Sequence, residues 1–158
     1  MLFTFEQAMW RLVGLWPGAA RRRLWLPVSL KIGKANAQIK LAISTIVRNE
    51  ASDLDEWLEF HCMMGVEHFY IYNNGSTDGT AEKLQQSPHA DRITVIDWAN
   101  FLSGWEGVAG PVGRMQRLAM LHSIANYGRL TEWMAFIDVD EFLYPAKADT
   151  LLDILAEY

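Results

Sequence analysis

Cysteine is nearly absent from this chain, in which Cys62 is the single cysteine among 158 residues. One thiol can form neither an intrachain disulfide nor a thiolate metal cluster, so a disulfide-stabilised secreted domain and a cysteine-based zinc site are excluded. We therefore expect a reducing compartment, and any metal ligands should be oxygen atoms.

Long uninterrupted apolar runs are missing as well. Glu6 and Arg11 interrupt the apolar residues of the N-terminal segment, and no basic stretch precedes them. Neither a secretory signal nor a membrane span fits this pattern, so we expect a cytoplasmic protein. Residues 1–30 also combine aromatic and basic side chains that suit peripheral contact with a membrane surface, or equally a helix packed on the domain and followed by a basic turn: Trp10, Trp16, Trp25 and Arg21-Arg22-Arg23.

Basic residues are scarce beyond residue 40. Residues 41–158 carry seven Lys and Arg against eighteen Asp and Glu, whereas residues 1–40 hold seven Lys and Arg against Glu6 alone. The acidic body disfavours nucleic acid as a partner and is compatible with a bound divalent cation. With 51% hydrophobic residues, the chain can form one domain with a real core. We assign residues 1–40 to an N-terminal extension and linker, and residues 41–158 to this domain.

Four short runs within the domain have the apolar, β-branched or aromatic character of strands. They cover residues 41–47, 68–72, 93–98 and 134–137. Helical patterns lie between them, and a short helix is expected over residues 150–158. The alternation of strand and helix predicts an α/β fold with a mainly parallel sheet.

Capping residues indicate where the helices begin and end. Asp53 has a capping-box partner in Glu56, which predicts a helix that starts after Asp53 and stops at Gly65. Asp78 precedes a second run of helix formers. A third helix is expected from Pro111 to about Gly128.

Three polar clusters follow three of the predicted strands. They are Arg48-Asn49-Glu50, Asn73-Asn74-Gly75-Ser76-Thr77-Asp78 and Asp138-Val139-Asp140-Glu141. Open α/β sheets bind ligands at the carboxyl ends of their strands, so we expect the clusters to converge there. Carboxylates and amides at this edge can hydrogen-bond a base and a ribose, while Asp138 and Asp140 can reach one hard cation.

Basic residues near the start of the third predicted helix offer a place for phosphate. Arg114 lies there together with Gln116 and Arg117. A helix N-terminus with basic side chains can hold an anion, although a solvated face explains each arginine taken singly equally well. The turn that contains Gly75 and Gly79 matches neither the dinucleotide fingerprint nor a P-loop.

Taken together, the three clusters resemble glycosyltransferases of the GT-A fold, within them family 2 and its relatives near family 92, over roughly residues 40 to 145. Asp138-Val139-Asp140 matches the DxD motif. The resemblance implies that Glu50, Asn73 and Asn74 lie by the nucleobase, with Asp78 in the same loop, and that Asp138 approaches the ribose. It also implies that Asp140, with Asp138, binds Mn²⁺ or Mg²⁺ at the diphosphate of a nucleotide sugar, most simply a UDP-sugar. The acceptor would be a hydroxyl of a glycan, a lipid or a protein.

The sequence departs from this pattern at two places. Many family 2 members carry acids where Asn73 and Asn74 stand, which makes the base less certain, although an amide can pair with uracil. Family members also continue well beyond the DxD motif, whereas eighteen residues follow Asp140 here. We therefore expect a truncated chain that holds the N-terminal, donor-binding half of the fold, and the general base is not identified.

Two other functions fit parts of the pattern. A phosphatase of the haloacid dehalogenase kind also ends a strand in Asp-x-Asp, but it requires Gly-Thr where Glu141-Phe142 stand. A noncatalytic relative would bind metal and nucleotide without turnover.

Overall fold

The computed structural model describes residues 2–4, 28–31, 37–99 and 113–158, with side chains over residues 37–99 and 115–158. The strands in this part of the chain are β1 (Leu2–Thr4), β2 (Val28–Lys31), β3 (Ile39–Val47), β4 (His68–Asn73), β5 (Ile93–Asp97), β6 (Thr131–Phe136) and β7 (Phe142–Tyr144). The α-helices are α1 (Leu54–Met63), α2 (Thr80–Gln86), α3 (Gly113–Tyr127) and α4 (Leu151–Leu155), and a 3-10 turn covers Ala90–Arg92.

The main sheet has the strand order β2-β6-β3-β4-β5. Strands β6, β3, β4 and β5 are parallel to one another, and the edge strand β2 is antiparallel to β6. The predicted α/β fold with a mainly parallel sheet is confirmed. Although β2 falls in the segment that we assigned to the extension, it pairs with β6 from Val28↔Phe136 to Lys31↔Trp133. The division of the chain at residue 40 stays a prediction.

A second, two-stranded sheet was not predicted from the sequence. It pairs β1 with β7 in parallel, from Leu2↔Phe142 to Thr4↔Tyr144. Each of these strands has three residues. A run that short has no periodicity to detect, so only the pairing of distant residues defines it.

Both faces of the main sheet are buried, as the apolar strands indicated. On one face, Ile43 and Val47 of β3 share a core with Trp57 of α1. On the other face, Ala42 of β3 shares a core with Ala119 of α3. Successive residues of a strand point to opposite faces, so β3 contributes to both cores and lies at the centre of the fold.

The predicted ends of α1 at Gly65 and of α3 at about Gly128 are confirmed, whereas the predicted cap at Asp53 is not. Gly65 follows α1 with φ +93°, and a Cβ there would lie 3.1 Å from Leu152 Cγ, so glycine is strongly favoured. Asp53 makes no side-chain cap hydrogen bond, so the predicted capping box is wrong. Asp53 already has helical backbone angles (φ −103°, ψ −18°), whereas a capping residue has extended ones.

A capping box that the sequence analysis missed stabilises α4. The Thr150 side chain accepts from the Asp153 amide at 3.3 Å, and an Asp153 carboxylate oxygen accepts from the Thr150 amide at 2.9 Å. Asp153 therefore has a structural role.

Among the helices of the described residues, none combines the length and apolar character needed to cross a membrane. The aromatic and basic side chains that suggested peripheral membrane contact, Trp10, Trp16, Trp25 and Arg21–Arg23, lie outside the described residues. Membrane contact and cytoplasmic location stay predictions.

Candidate functional site

The centre of the sheet contains a topological switch point. Strand β3 continues through α1 to β4 on one side, while β6, which comes much later in the chain, pairs on the other side. The β3–β6 pairing runs from Ile39↔Thr131 to Ser44↔Phe136. The crevice beyond such a point is where open α/β sheets bind ligands.

The acidic cluster after β6 forms a compact turn, which we call the acid turn (Asp138–Glu141). The Glu141 amide donates to the Asp138 carbonyl at 3.0 Å, and Glu141 Oε2 accepts from the Asp138 amide at 3.0 Å. Gln116 of α3 reaches the same turn, because its Nε2 donates to Asp138 Oδ1 at 3.3 Å. Asp138 is thus held by its amide on one side and by its carboxylate on the other.

Glu50, at the carboxyl end of β3, lies close enough to the acid turn for their charges to repel. Burial is the largest factor that raises the pKa of Glu50, followed by the carboxylates of Asp53 and Asp140. Burial and then Asp140 raise the pKa of Asp138, while the hydrogen bond from Gln116 opposes this shift. The structure therefore brings Glu50, Asp138 and Asp140 into one electrostatic cluster.

An open cleft of about 350 Å³ lies over this cluster. Such a volume is within the range of small-ligand sites, roughly 300–1,000 Å³. The cleft is lined by carboxylate, amide and guanidinium side chains and by apolar residues of β3 and the acid turn: Arg48, Glu50, Asn74, Gln116, Asp138 and Asp140, with Ile46 and Val47 of β3 and Val139 of the turn.

The loop after β4 is braced against the loop after β3. Asn49 has φ +60°, its Oδ1 accepts from the Thr77 amide at 2.8 Å, and its own amide donates to Ser76 Oγ at 3.0 Å. The Glu50 amide donates to Thr80 Oγ1 at 3.0 Å. These bonds connect two of the three predicted clusters and set the position of the Glu50 backbone.

Asp78 serves this brace with both carboxylate oxygens. Oδ2 accepts from the Ala51 amide at 3.0 Å, and Oδ1 accepts from the amide and the hydroxyl of Thr80 at 3.1 and 2.5 Å. The hydrogen bonds from Thr80 and Ala51 lower the pKa of the Asp78 carboxyl. Asp78 is not among the residues that line the cleft, so its visible role is to shape the loop.

The two adjacent asparagines take different places. Asn74 lines the cleft, and its backbone N–H donates to the Val47 carbonyl at 2.9 Å. Asn73 ends β4, where its Oδ1 accepts from the Ser76 amide at 3.0 Å. The sequence did not separate these roles, because two adjacent asparagines do not reveal which side chain faces the cleft.

Two predicted features are not decided by the described side chains. The side chain of Arg114 lies outside them, and only its backbone in α3 is described. No group of three or more His, Cys, Asp or Glu side chains in the described residues has the arrangement of a metal site. Metal binding at Asp138 and Asp140 stays a prediction.

The fold and the site define an α/β domain with an acidic cleft at the switch point of a parallel sheet. The family model for glycosyltransferase family 92 matches residues 39–158. The match covers all the described elements from β3 onward, and the chain belongs to glycosyltransferase family 92.

Plant proteins named as members of this family are similar to the chain. A family 92 protein of Oryza sativa subsp. japonica is 32% identical over 118 residues, which is 75% of this chain and 18% of the relative. One from Ricinus communis is 29% identical over 105 residues, covering 66% of this chain and 16% of the relative. One from Arabidopsis thaliana is 28% identical over 118 residues, covering 74% of this chain and 18% of the relative. The chain thus spans less than a fifth of the length of these curated relatives.

Proposed function

We propose that this chain is the donor-binding part of a metal-dependent glycosyltransferase of the GT-A type, which transfers a sugar from a nucleotide-sugar donor to a hydroxyl acceptor. The observation that carries the proposal is the convergence of Glu50, Asn74, Asp138 and Asp140 on one cleft at the switch point of the sheet. Membership of a glycosyltransferase family supports transfer over the phosphatase alternative.

The donor is proposed to be a UDP-sugar. Asn74 and Glu50 line the cleft beyond β3 and β4, where a base could use their amide and carboxylate groups. Asn73 would act next to them, because its carboxamide retains donors after Oδ1 accepts from Ser76. Asp138 would hydrogen-bond the ribose, and Arg114 at the start of α3 would face phosphate.

Asp138 and Asp140 are proposed to hold Mn²⁺ or Mg²⁺. Burial and neighbouring carboxylates raise the pKa values of Asp138 and Glu50, so a cation would relieve an unfavourable accumulation of negative charge. Mg²⁺ is usually bound through one or two carboxylates together with substrate phosphates, a requirement that this pair of residues fits. When bound, the cation would neutralise the charge of the departing diphosphate.

The chemistry of transfer also needs a base for the acceptor hydroxyl, and we assign none. Asp153 closes the capping box of α4, and Asp149 and Glu157 are exposed. The acceptor, whether on a glycan, a lipid or a protein, is equally unassigned. A noncatalytic relative would have the same donor site, so only turnover separates the two functions.

Calorimetric titration of UDP into the protein in the presence and absence of Mn²⁺ tests the donor site. We expect binding that requires Mn²⁺ and that weakens by at least about tenfold in Asp140→Asn, because a ligand to the cation is lost. Asp149→Asn, which removes an exposed carboxylate outside the cleft, is the matched control. Failure of UDP and other nucleoside diphosphates to bind would contradict the proposal. Equally tight binding without Mn²⁺ would refute the part of the proposal that assigns a cation to Asp138 and Asp140.

Turnover is tested by sugar release from UDP-sugars during an acceptor screen. Release over many turnovers is expected of an enzyme. Binding without release would favour the noncatalytic relative.

A further inference from the structure

Two buried side chains of α1 hold the segment that contains the acid turn. Trp57 Nε1 donates to the Glu141 carbonyl at 2.9 Å, and the Leu143 amide donates to His61 Nε2 at 3.2 Å. Trp57 and His61 are both completely buried. They lie four residues apart, so one face of the helix presents both groups.

The contacts of His61 define its tautomer. Nδ1 lies 2.8 Å from the Trp57 carbonyl, which can only accept, so Nδ1 carries the proton. Nε2 must then be the acceptor that the Leu143 amide requires. His61 is therefore a neutral imidazole with both nitrogens occupied by backbone groups.

Aromatic neighbours keep this imidazole in one orientation. Its ring is stacked on Phe142 with centroids 5.7 Å apart and planes 17° apart. Trp57 packs at 4.7 Å and Phe60 meets the ring edge-on at 5.3 Å. A ring held in this way can fix the backbone that follows the acid turn.

The backbone bonds reach Asp138 through Glu141. Trp57 holds the carbonyl of Glu141, and the carboxylate of Glu141 in turn accepts from the Asp138 amide. A shift of Glu141 would therefore move Asp138. Gln116 contacts the Asp138 carboxylate from α3, so α1 and α3 restrain the turn from different elements.

We propose that Trp57 and His61 are positioning residues that hold the acid turn in the geometry required to bind the cation and the nucleotide. The expected effect on cation and nucleotide binding rests on the proposed function. The positioning itself rests on the hydrogen bonds that Trp57 and His61 make with the segment of the acid turn. Neither residue lines the cleft, so each would act through the turn. Partners that orient ligating groups in this way commonly affect metal affinity by about 10- to 100-fold.

Three variants test the proposal by calorimetry with Mn²⁺ and UDP. Trp57→Phe removes the indole N–H but keeps an aromatic ring, and His61→Leu removes both imidazole contacts. We expect each to weaken Mn²⁺-dependent UDP binding by about tenfold. His61→Gln places an oxygen where Nε2 stood and should recover most of the affinity, since the Leu143 amide regains an acceptor.

A control separates positioning from general destabilisation. Leu58→Ala, a buried change on the same helix, should lower the urea midpoint without weakening UDP binding well below that midpoint. Equal loss of affinity in Leu58→Ala and Trp57→Phe would overturn the proposal. So would wild-type affinity in both Trp57→Phe and His61→Leu.

Amide hydrogen exchange provides a readout that does not depend on a ligand. Exchange at Asp138 and Leu143 should accelerate about tenfold in His61→Leu and be restored in His61→Gln, because the Leu143 acceptor is removed and then replaced. Should His61→Leu fail to fold, exchange at Asp138 in Trp57→Phe decides. Unchanged exchange at Asp138 in the folded variants would refute positioning. If exchange accelerates in the variants but the wild-type protein binds no UDP, positioning of the turn is upheld and the proposed function is refuted.

Discussion

Removal of the buried imidazole of His61 should change how the stability of the protein depends on pH. Burial lowers the pKa of His61 from 6.5 to about 4, partly opposed by its hydrogen bond to the Trp57 carbonyl. Between these two values the unfolded chain binds the proton and the folded protein does not. The free energy of unfolding contributed by His61 is therefore complete above pH 6.5 and is lost as the pH falls toward about 4.

The magnitude follows from the same two pKa values. A difference of one pKa unit corresponds to about 1.4 kcal/mol, so His61 should add about 3 kcal/mol to the pH dependence over this interval. This is a large share of a typical domain stability of roughly 5–15 kcal/mol. Carboxyl groups with raised pKa values, such as Glu50 and Asp138, act in the opposite direction, because the folded state binds their protons more readily.

Urea unfolding followed by tryptophan fluorescence at several pH values can isolate the His61 contribution. The difference between the wild-type and His61→Gln profiles cancels the carboxyl contributions that both proteins share. His89→Gln, at a histidine 2.7 Å from Glu59, is the matched control. Its free energy of unfolding should still increase with pH as in the wild type, because His61 remains. Parallel wild-type and His61→Gln profiles, within about 1 kcal/mol, would refute the reasoning.

Three further substitutions test individual features. Asp138→Asn should raise the urea midpoint yet abolish Mn²⁺-dependent UDP binding, because a neutral amide relieves the charge repulsion and retains an acceptor for Gln116; a lower midpoint would contradict this. Gly65→Ala should lower the free energy of unfolding by about 1–2 kcal/mol, because φ is +93° and the new Cβ meets Leu152. Gly79→Ala is the control, because a Cβ there has no atom within 4 Å, and the difference between the two variants isolates the steric cost. Thr150→Ala should cost about 1 kcal/mol by removing the α4 cap, and an unchanged urea midpoint would contradict it.

Much of the fold follows from local pattern. The four predicted strands correspond to β3, β4, β5 and β6, with ends displaced by a few residues. Apolar runs and their alternation with helical segments are properties of neighbouring residues, so a sequence displays them directly. The caps were less predictable, because Asp53 and Asp78 bond according to the loops around them.

The sequence by itself determined that acidic and amide groups follow the strands, and the order of the β and α segments implied that these groups share one edge. Only the tertiary structure decided that β6 lies beside β3, which places Asp138 and Asp140 opposite Glu50 at the switch point. It also decided that His61 meets Leu143, 82 residues away, and that Asp78 braces a loop. Strand order and such contacts depend on pairing between distant residues, for which no local periodicity exists.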